Sequence, residues 1–160
     1  MKALRPVLLV EDNDNDILLF RRALAKIQSD LPLQVIRDGQ DAWDQLSSGG
    51  AERPSLILLD LKLPRLSGLD LLRAIKRDPE LRTLPVVVVT SSRRQADIDE
   101  VYAEGADFYL LKPVDFQRVM EQARGIHAYW TAIVGHPDDP LADPTLSQLR
   151  KLSELASPPA

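Results

Sequence analysis

The chain has 160 residues, 44% of them apolar and 28% charged, with 20 basic against 24 acidic side chains and a formal net charge of −4. That length fits one globular domain with a short appendage, and the net acidity excludes a general affinity for nucleic acid, whose phosphates demand a basic surface. With no cysteine and two histidines, the chain offers no disulfide framework, thiolate zinc site or His-rich metal site.

No apolar run approaches the roughly 20 residues needed to span a bilayer. Met1 to Pro6 leads straight into a strand-like run without a secretory h-region. A cytoplasmic protein, free of membrane and nucleic acid, is the expectation.

Two hydrophobic periods alternate along the chain. Val7-Leu8-Leu9-Val10 is a continuous apolar run, the pattern of a strand covered on both faces. From Asn13 to Ile27 the spacing becomes helical through Ile17, Phe20, Leu24 and Ile27, with Asn13 or Asp14 placed to cap it. A second strand is expected near Leu33-Gln34-Val35-Ile36. The turn Asp38-Gly39 follows it, then a short helix through Ala42, Trp43 and Leu46 that ends at Gly49-Gly50.

Ser55 to Leu59 reads as a third strand that delivers Asp60. A loop with Pro64 and Gly68 then introduces a helix carrying Leu69, Leu72 and Ile75. Pro85-Val86-Val87-Val88-Val89 is nearly all β-branched and gives a fourth strand. Thr90-Ser91-Ser92 closes it and is read as the cap of a helix from about Arg93 to Ala103. Gly105-Ala106-Asp107 breaks that helix, Phe108 to Leu111 forms a fifth strand, and after Lys112-Pro113 a long helix starts near Asp115. Five strand–helix units predict an α/β fold, a doubly wound parallel sheet with helices on both faces. Sites in such sheets form beyond the carboxyl ends of the strands, where the strand order reverses.

The polar residues at those ends are Glu11 and Asp12 after the first strand, Asp60 after the third, Thr90 after the fourth and Lys112 after the fifth. Carboxylates about 5 Å apart repel by roughly 3 kcal/mol per pair at an effective dielectric near 20. A hard divalent cation with oxygen ligands compensates that crowding, and few carboxylates plus waters and phosphate oxygens suit Mg²⁺. Such a site favours phosphoryl transfer to an in-line carboxylate. Asp60 is the candidate nucleophile because it emerges singly from an apolar strand. Lys112 can pair with phosphoryl oxygens as a point charge, and Thr90 can donate its hydroxyl to another.

Four segments carry a family resemblance: Val10-Glu11-Asp12; Leu58 to Pro64 with Gly68; Val89-Thr90-Ser91; and Tyr109-Leu110-Leu111-Lys112-Pro113. In this order, at the strand ends, they resemble the receiver domain of two-component response regulators over about residues 5–125. The resemblance implies a flavodoxin-like five-stranded sheet of order 2-1-3-4-5. It also implies phosphorylation of Asp60 by a histidine kinase, and Mg²⁺ held by Glu11, Asp12, Asp60 and the Lys62 carbonyl. Thr90 and Tyr109 would form a switch pair, and the Lys112–Pro113 bond would be cis.

Within the family, the Leu56 to Pro64 segment, Asp78-Pro79-Glu80-Leu81 before Leu84-Pro85, and Ile126-His127-Ala128-Tyr129-Trp130 resemble small regulators paired with bacterial phytochrome kinases. Those regulators stand alone, signal by protein contacts and carry no DNA-binding module. They catalyse their own phosphorylation and dephosphorylation without turning over an independent substrate.

The last long helix carries Phe116, Val119, Met120, Ala123, Ile126, Trp130 and Ile133 at helical spacing. Reaching Val134, it outruns the sheet, so Tyr129, Trp130 and Ile133 are expected to project and form a homodimer with the fourth helix and fifth strand. The alternative is a tail that folds back over them. Residues 1–134 read as the receiver unit, and 135–160 as a Pro/Asp-rich linker and a short amphipathic helix. That helix begins at Asp143-Pro144 and carries Leu146, Leu149, Leu152 and Leu155.

Blander readings exist for single pieces. Glu11-Asp12-Asn13-Asp14 and Thr90-Ser91-Ser92 are ordinary capping clusters, Lys112-Pro113 alone is a turn, and His127 and His136 lack partners that would make them ligands. A phosphatase of the haloacid dehalogenase class also uses an aspartyl nucleophile after a parallel strand. It needs a second Asp two residues on, where this chain has Lys62.

Overall fold

Two of the strands are buried along their whole length, which is why they read as unbroken apolar runs rather than as alternating ones. The computed structural model describes residues 5–49, 52–135 and 146–153. The elements are β1 (Val7–Val10), α1 (Asp14–Lys26), β2 (Leu33–Ile36), α2 (Gly39–Ser47), β3 (Leu56–Leu59), α3 (Gly68–Arg77), β4 (Val86–Thr90), α4 (Gln95–Ala103), β5 (Phe108–Leu111), α5 (Phe116–Gly135) and α6 (Ser147–Ser153). The five strands are parallel, in the order β2-β1-β3-β4-β5. The doubly wound sheet and its strand order are as expected.

Alternate residues of each strand feed two cores. Val7, Leu9, Leu56, Leu58, Val87, Phe108 and Leu110 join residues of α1 and α5 on one face. Leu8, Val10, Ile57, Leu59, Val86, Val88 and Tyr109 join residues of α2, α3 and α4 on the other. The strand register then places the site. Val10 lies beside Leu59, so Glu11 and Asp60 leave the sheet side by side; Thr90 lies beside Leu111, so Lys112 follows next to it.

Caps hold the helices whose ends face the site. Asn13 Oδ1 accepts from the Asp16 N–H at 3.0 Å, and Ser67 Oγ accepts from the Asp70 N–H at 3.1 Å. Gly68 is required by contact: a Cβ there would lie 2.0 Å from the Asp60 carbonyl oxygen.

Four expectations need correction. The helix after Thr90-Ser91-Ser92 starts later than expected, at Gln95, and its N-cap, Arg94, makes no side-chain cap bond. Ser92 Oγ accepts from the Arg94 N–H at 3.3 Å, ahead of the helix, and donates to the Asp97 carboxylate in its first turn. The Lys112–Pro113 bond is trans, the form ordinarily favoured by about 0.5–1 kcal/mol.

The largest correction concerns α5. Tyr129, Trp130 and Ile133 do not project; they are 1%, 4% and 7% exposed. They lie in one cluster with Ile17, Ala23, Leu24 and Leu31 of the α1 side and with Leu146 and Leu149 of the tail. Phe108 packs edge-on against Tyr129 at 5.3 Å between ring centres. The tail folds back because its leucines gain more by burial than a lone short helix gains in water. Leu149 seats against Gly125, where a Cβ would meet it at 3.3 Å. That close approach accounts for a glycine inside a helix, a choice that costs roughly 0.5–1 kcal/mol relative to Ala. Gly50, His136, Asp143, Pro144 and Leu155 lie outside the described residues.

Candidate functional site

The carboxyl ends of β1, β3, β4 and β5 bring Glu11, Asp60, Thr90 and Lys112 together, with Asp12 at the outer edge. Glu11 and Asp60 are buried at 4% and 5% exposure, whereas Asp12 is exposed. One carboxylate oxygen from each of Glu11, Asp12 and Asp60 lies within 4.8 Å of the others. Backbone bonds fix the spacing: the Glu11 N–H donates to the Ile36 carbonyl at 3.0 Å, and the Asp60 N–H to the Val10 carbonyl at 3.2 Å.

Lys112 closes the site from β5, its own N–H donating to the Thr90 carbonyl at 2.9 Å. Its ammonium reaches Glu11 Oε1 at 2.7 Å, Asp60 Oδ2 at 2.9 Å and Asp16 Oδ2 at 2.7 Å. Burial works against the lysine charge, yet the bonds it donates to Asp16, Glu11 and Asp60 outweigh that, and Lys112 stays well above the ordinary lysine range. Burial pushes the Glu11 carboxyl up to about 7; Lys112 opposes this and Asp60 adds to it. One ammonium thus offsets only part of the acidic charge. A divalent cation bound by the three oxygens would offset the rest.

Thr90 is fully buried, and its hydroxyl has no hydrogen-bond partner among the described residues. A buried hydroxyl left unpaired in this way is costly, and this one sits at the end of β4 beside the strand that delivers Asp60. It is a donor available to an incoming oxygen. The donor set therefore fits a hard cation and a phosphoryl group together.

Tyr109 is also fully buried. Its hydroxyl donates to the Ser92 carbonyl at 2.8 Å, and its backbone N–H donates to the Tyr102 hydroxyl at 3.1 Å. Lys62 lies two residues beyond Asp60 with its side chain exposed, and its N–H points to Asp60 Oδ1 at 3.4 Å. A cavity of about 70 Å³ opens beside Asp60 and Lys112, walled by Leu9, Phe20, Val89 and Ile126.

Asp16 is the site residue that sequence reasoning missed. It sits in the first turn of α1, where an acid is ordinarily read as a partner of the helix dipole, and only its spacing of five residues from Glu11 hinted at more. Of the residues expected to dimerise, Tyr129, Trp130 and Ile133 belong to the interior. Tyr129 hydrogen-bonds Asp107, whose carboxylate accepts from the Val86 N–H at 3.0 Å. His127 is likewise structural: Ser29 Oγ lies 2.6 Å from its Nδ1.

A doubly wound sheet with an acidic trio, a lysine and a buried hydroxyl at its switch point makes an α/β domain whose rim suits a hard cation and an oxyanion. Residues 7–124 match the response regulator receiver domain, and the chain belongs to that family. Two curated relatives are FilR2 of Methanothrix harundinacea, a probable methanogenesis regulatory protein, and the response regulator Rcp1 of Synechocystis. FilR2 is 37% identical over 127 residues, 78% of this chain and 82% of that protein. Rcp1 is 36% identical over 135 residues, 82% of this chain and 92% of that protein. Among solved structures, the phosphorylated cyanobacterial phytochrome response regulator RcpA superposes with a TM-score of 0.74 at 36% identity, covering 81% of this chain and 95% of that one. The 160 residues therefore carry a receiver domain homologous to phytochrome response regulators, a class that works with a histidine kinase rather than as a conventional enzyme.

Proposed function

We propose that Asp60 accepts a phosphoryl group from the phosphohistidine of a histidine kinase and that the protein passes the signal on by protein contacts. A carboxylate oxygen of Asp60 attacks phosphorus, the P–N bond breaks, and the imidazole departs. Thr90 donates its hydroxyl to one phosphoryl oxygen and Lys112 an N–H to another. Glu11, Asp12, Asp60 and the Lys62 carbonyl hold the cation, for which Mg²⁺ suits an all-oxygen donor set. When bound, that ion neutralises charge on the transferring group.

The single observation that carries this reading is Asp60 itself: a carboxylate 5% exposed, shared by Lys112 and crowded by Glu11 and Asp12. Incubation with acetyl phosphate and Mg²⁺ adds one phosphoryl mass to the chain, and Asp60→Asn abolishes it. Labelling that survives in the variant would place the acceptor elsewhere.

The finer points belong to the same proposal. The kinase is of the phytochrome type, supported by the likeness to RcpA. Thr90 and Tyr109 act as the switch pair, and the protein catalyses its own phosphorylation and dephosphorylation in the cytoplasm. Residues 1–134 are the receiver unit and 135–160 its appendage.

The homodimer expected through α4, β5 and α5 takes a narrower form. Tyr129, Trp130 and Ile133 lie beneath the surface, and α6 packs on α5 and β5. A second copy therefore docks over α6 or in its place. A monomeric mass by light scattering, with and without phosphate, would remove the dimer from the proposal.

A further inference from the structure

An ammonium group has three N–H donors and no acceptor. In Lys112 each has a carboxylate within reach: Glu11 on the β1 end at 2.7 Å, Asp16 on α1 at 2.7 Å and Asp60 on the β3 end at 2.9 Å. The lysine is thus a tripod, and only one leg rests on the acceptor.

Transfer of a phosphoryl group to Asp60 turns one carboxylate oxygen into an acyl-phosphate linkage and moves negative charge outward to the phosphoryl oxygens. The N–H that served Asp60 must then follow the phosphoryl group. The other two legs remain, and Glu11 is already committed to the acidic trio.

From this geometry we infer that Asp16 is a positioning residue for phosphoryl transfer: it anchors the Lys112 ammonium so that one N–H stays aimed at the acceptor. The inference rests on the phosphoacceptor reading above. Asp16 touches no reacting atom; it acts through Lys112.

A second first-turn acid offers an internal comparison. Asp14 shares the helix-dipole position of Asp16, but its side chain is 84% exposed and pairs with Arg37, away from Lys112. Any effect common to both acids is helix electrostatics. An effect confined to Asp16 belongs to the lysine.

The test uses the whole chain with acetyl phosphate and saturating Mg²⁺. Asp16→Ala is expected to lower the limiting labelling rate about tenfold with the half-saturating donor concentration unchanged. Asp16→Asn, which keeps an oxygen acceptor without the charge, recovers part of that loss, and Asp14→Asn labels at the parent rate. A second readout needs no phosphate. The Lys112 ammonium signal in ¹⁵N-edited NMR, visible when its protons exchange slowly, is present in the parent and in Asp14→Asn and is lost in Asp16→Ala.

Parent-like labelling in Asp16→Ala, equal slowing in Asp14→Asn, or a slowed rate with the ammonium signal intact would each overturn the inference. If the parent itself takes no label, the phosphoacceptor reading fails, while the ammonium signal still decides whether Asp16 holds Lys112. Should Asp16→Ala not fold, the isosteric Asp16→Asn carries both readouts.

Discussion

The acidic rim and the α5–α6 flank of this receiver domain are assembled by opposite means. On the rim, three carboxylates surround one ammonium with Asp12 at the outer edge, two of these acids are almost fully buried, and a buried hydroxyl has no partner among the described residues. The groups are held there by the strand register and by backbone bonds, against their mutual repulsion. On the flank, Tyr129, Trp130, Ile133, Leu146 and Leu149 fill space among other apolar side chains, and the burial itself stabilises the arrangement. The difference teaches where each kind of substitution acts: the rim carries charge at the expense of stability, and the flank supplies stability without touching the chemistry.

The largest expected effect sharpens that contrast by attacking the scaffold of the rim. Gly68→Ala puts a methyl group 2.0 Å from the Asp60 carbonyl oxygen and 2.6 Å from the Leu61 Cα, both backbone atoms with little freedom to move. A loss of at least about 3 kcal/mol is expected in denaturant unfolding, with labelling of Asp60 impaired even in the folded fraction.

Next comes pH. Glu11 holds its proton more tightly in the folded chain, up to about 7 against an ordinary 4.5. The folded state therefore binds more protons than the unfolded state across that window, and metal-free stability falls as pH rises from about 4.5 to 7. The loss is at most about 3 kcal/mol. Added Mg²⁺ should reverse it and release a proton on binding. A metal-free stability that climbs steadily through this range would break the account of the rim.

On the flank, Leu149→Ala should cost about 2 kcal/mol, limited by what the docking of α6 contributes. Faster amide exchange across 146–153 and unchanged labelling of Asp60 are the expected readouts. Slowed labelling in this variant would mean that the two regions are coupled after all.

Much of the rim was legible because strand ends are marked by abrupt changes of residue type. Leu59 to Asp60, Val10 to Glu11 and Leu111 to Lys112 each pass from apolar strand to charge in one step, and the switch-point rule does the rest. Asp16 escaped because its partner lies 96 residues away and its own turn offers a sufficient local explanation. The flank was misread for a related reason. A helical stripe shows which residues are apolar, not what covers them, and Tyr129, Trp130 and Ile133 fit a dimer contact and an intramolecular core equally well. What decides between them is the return of the tail, hinted at by its own stripe of leucines and by Gly125, a small residue where a long helix would favour a larger one. The Ser92–Asp97 bond was likewise invisible, since a serine after a strand is more often a cap.

The seat of Leu149 on Gly125 also bears on any shortened form of this protein. Cutting the chain after α5 leaves a notch on that helix shaped for a leucine and flanked by greasy surface. A neighbouring molecule is the nearest supply of a filler. Trimmed preparations would then stick to one another in ways the intact polypeptide does not, and a dimer observed only in them would report the missing plug rather than the signalling state.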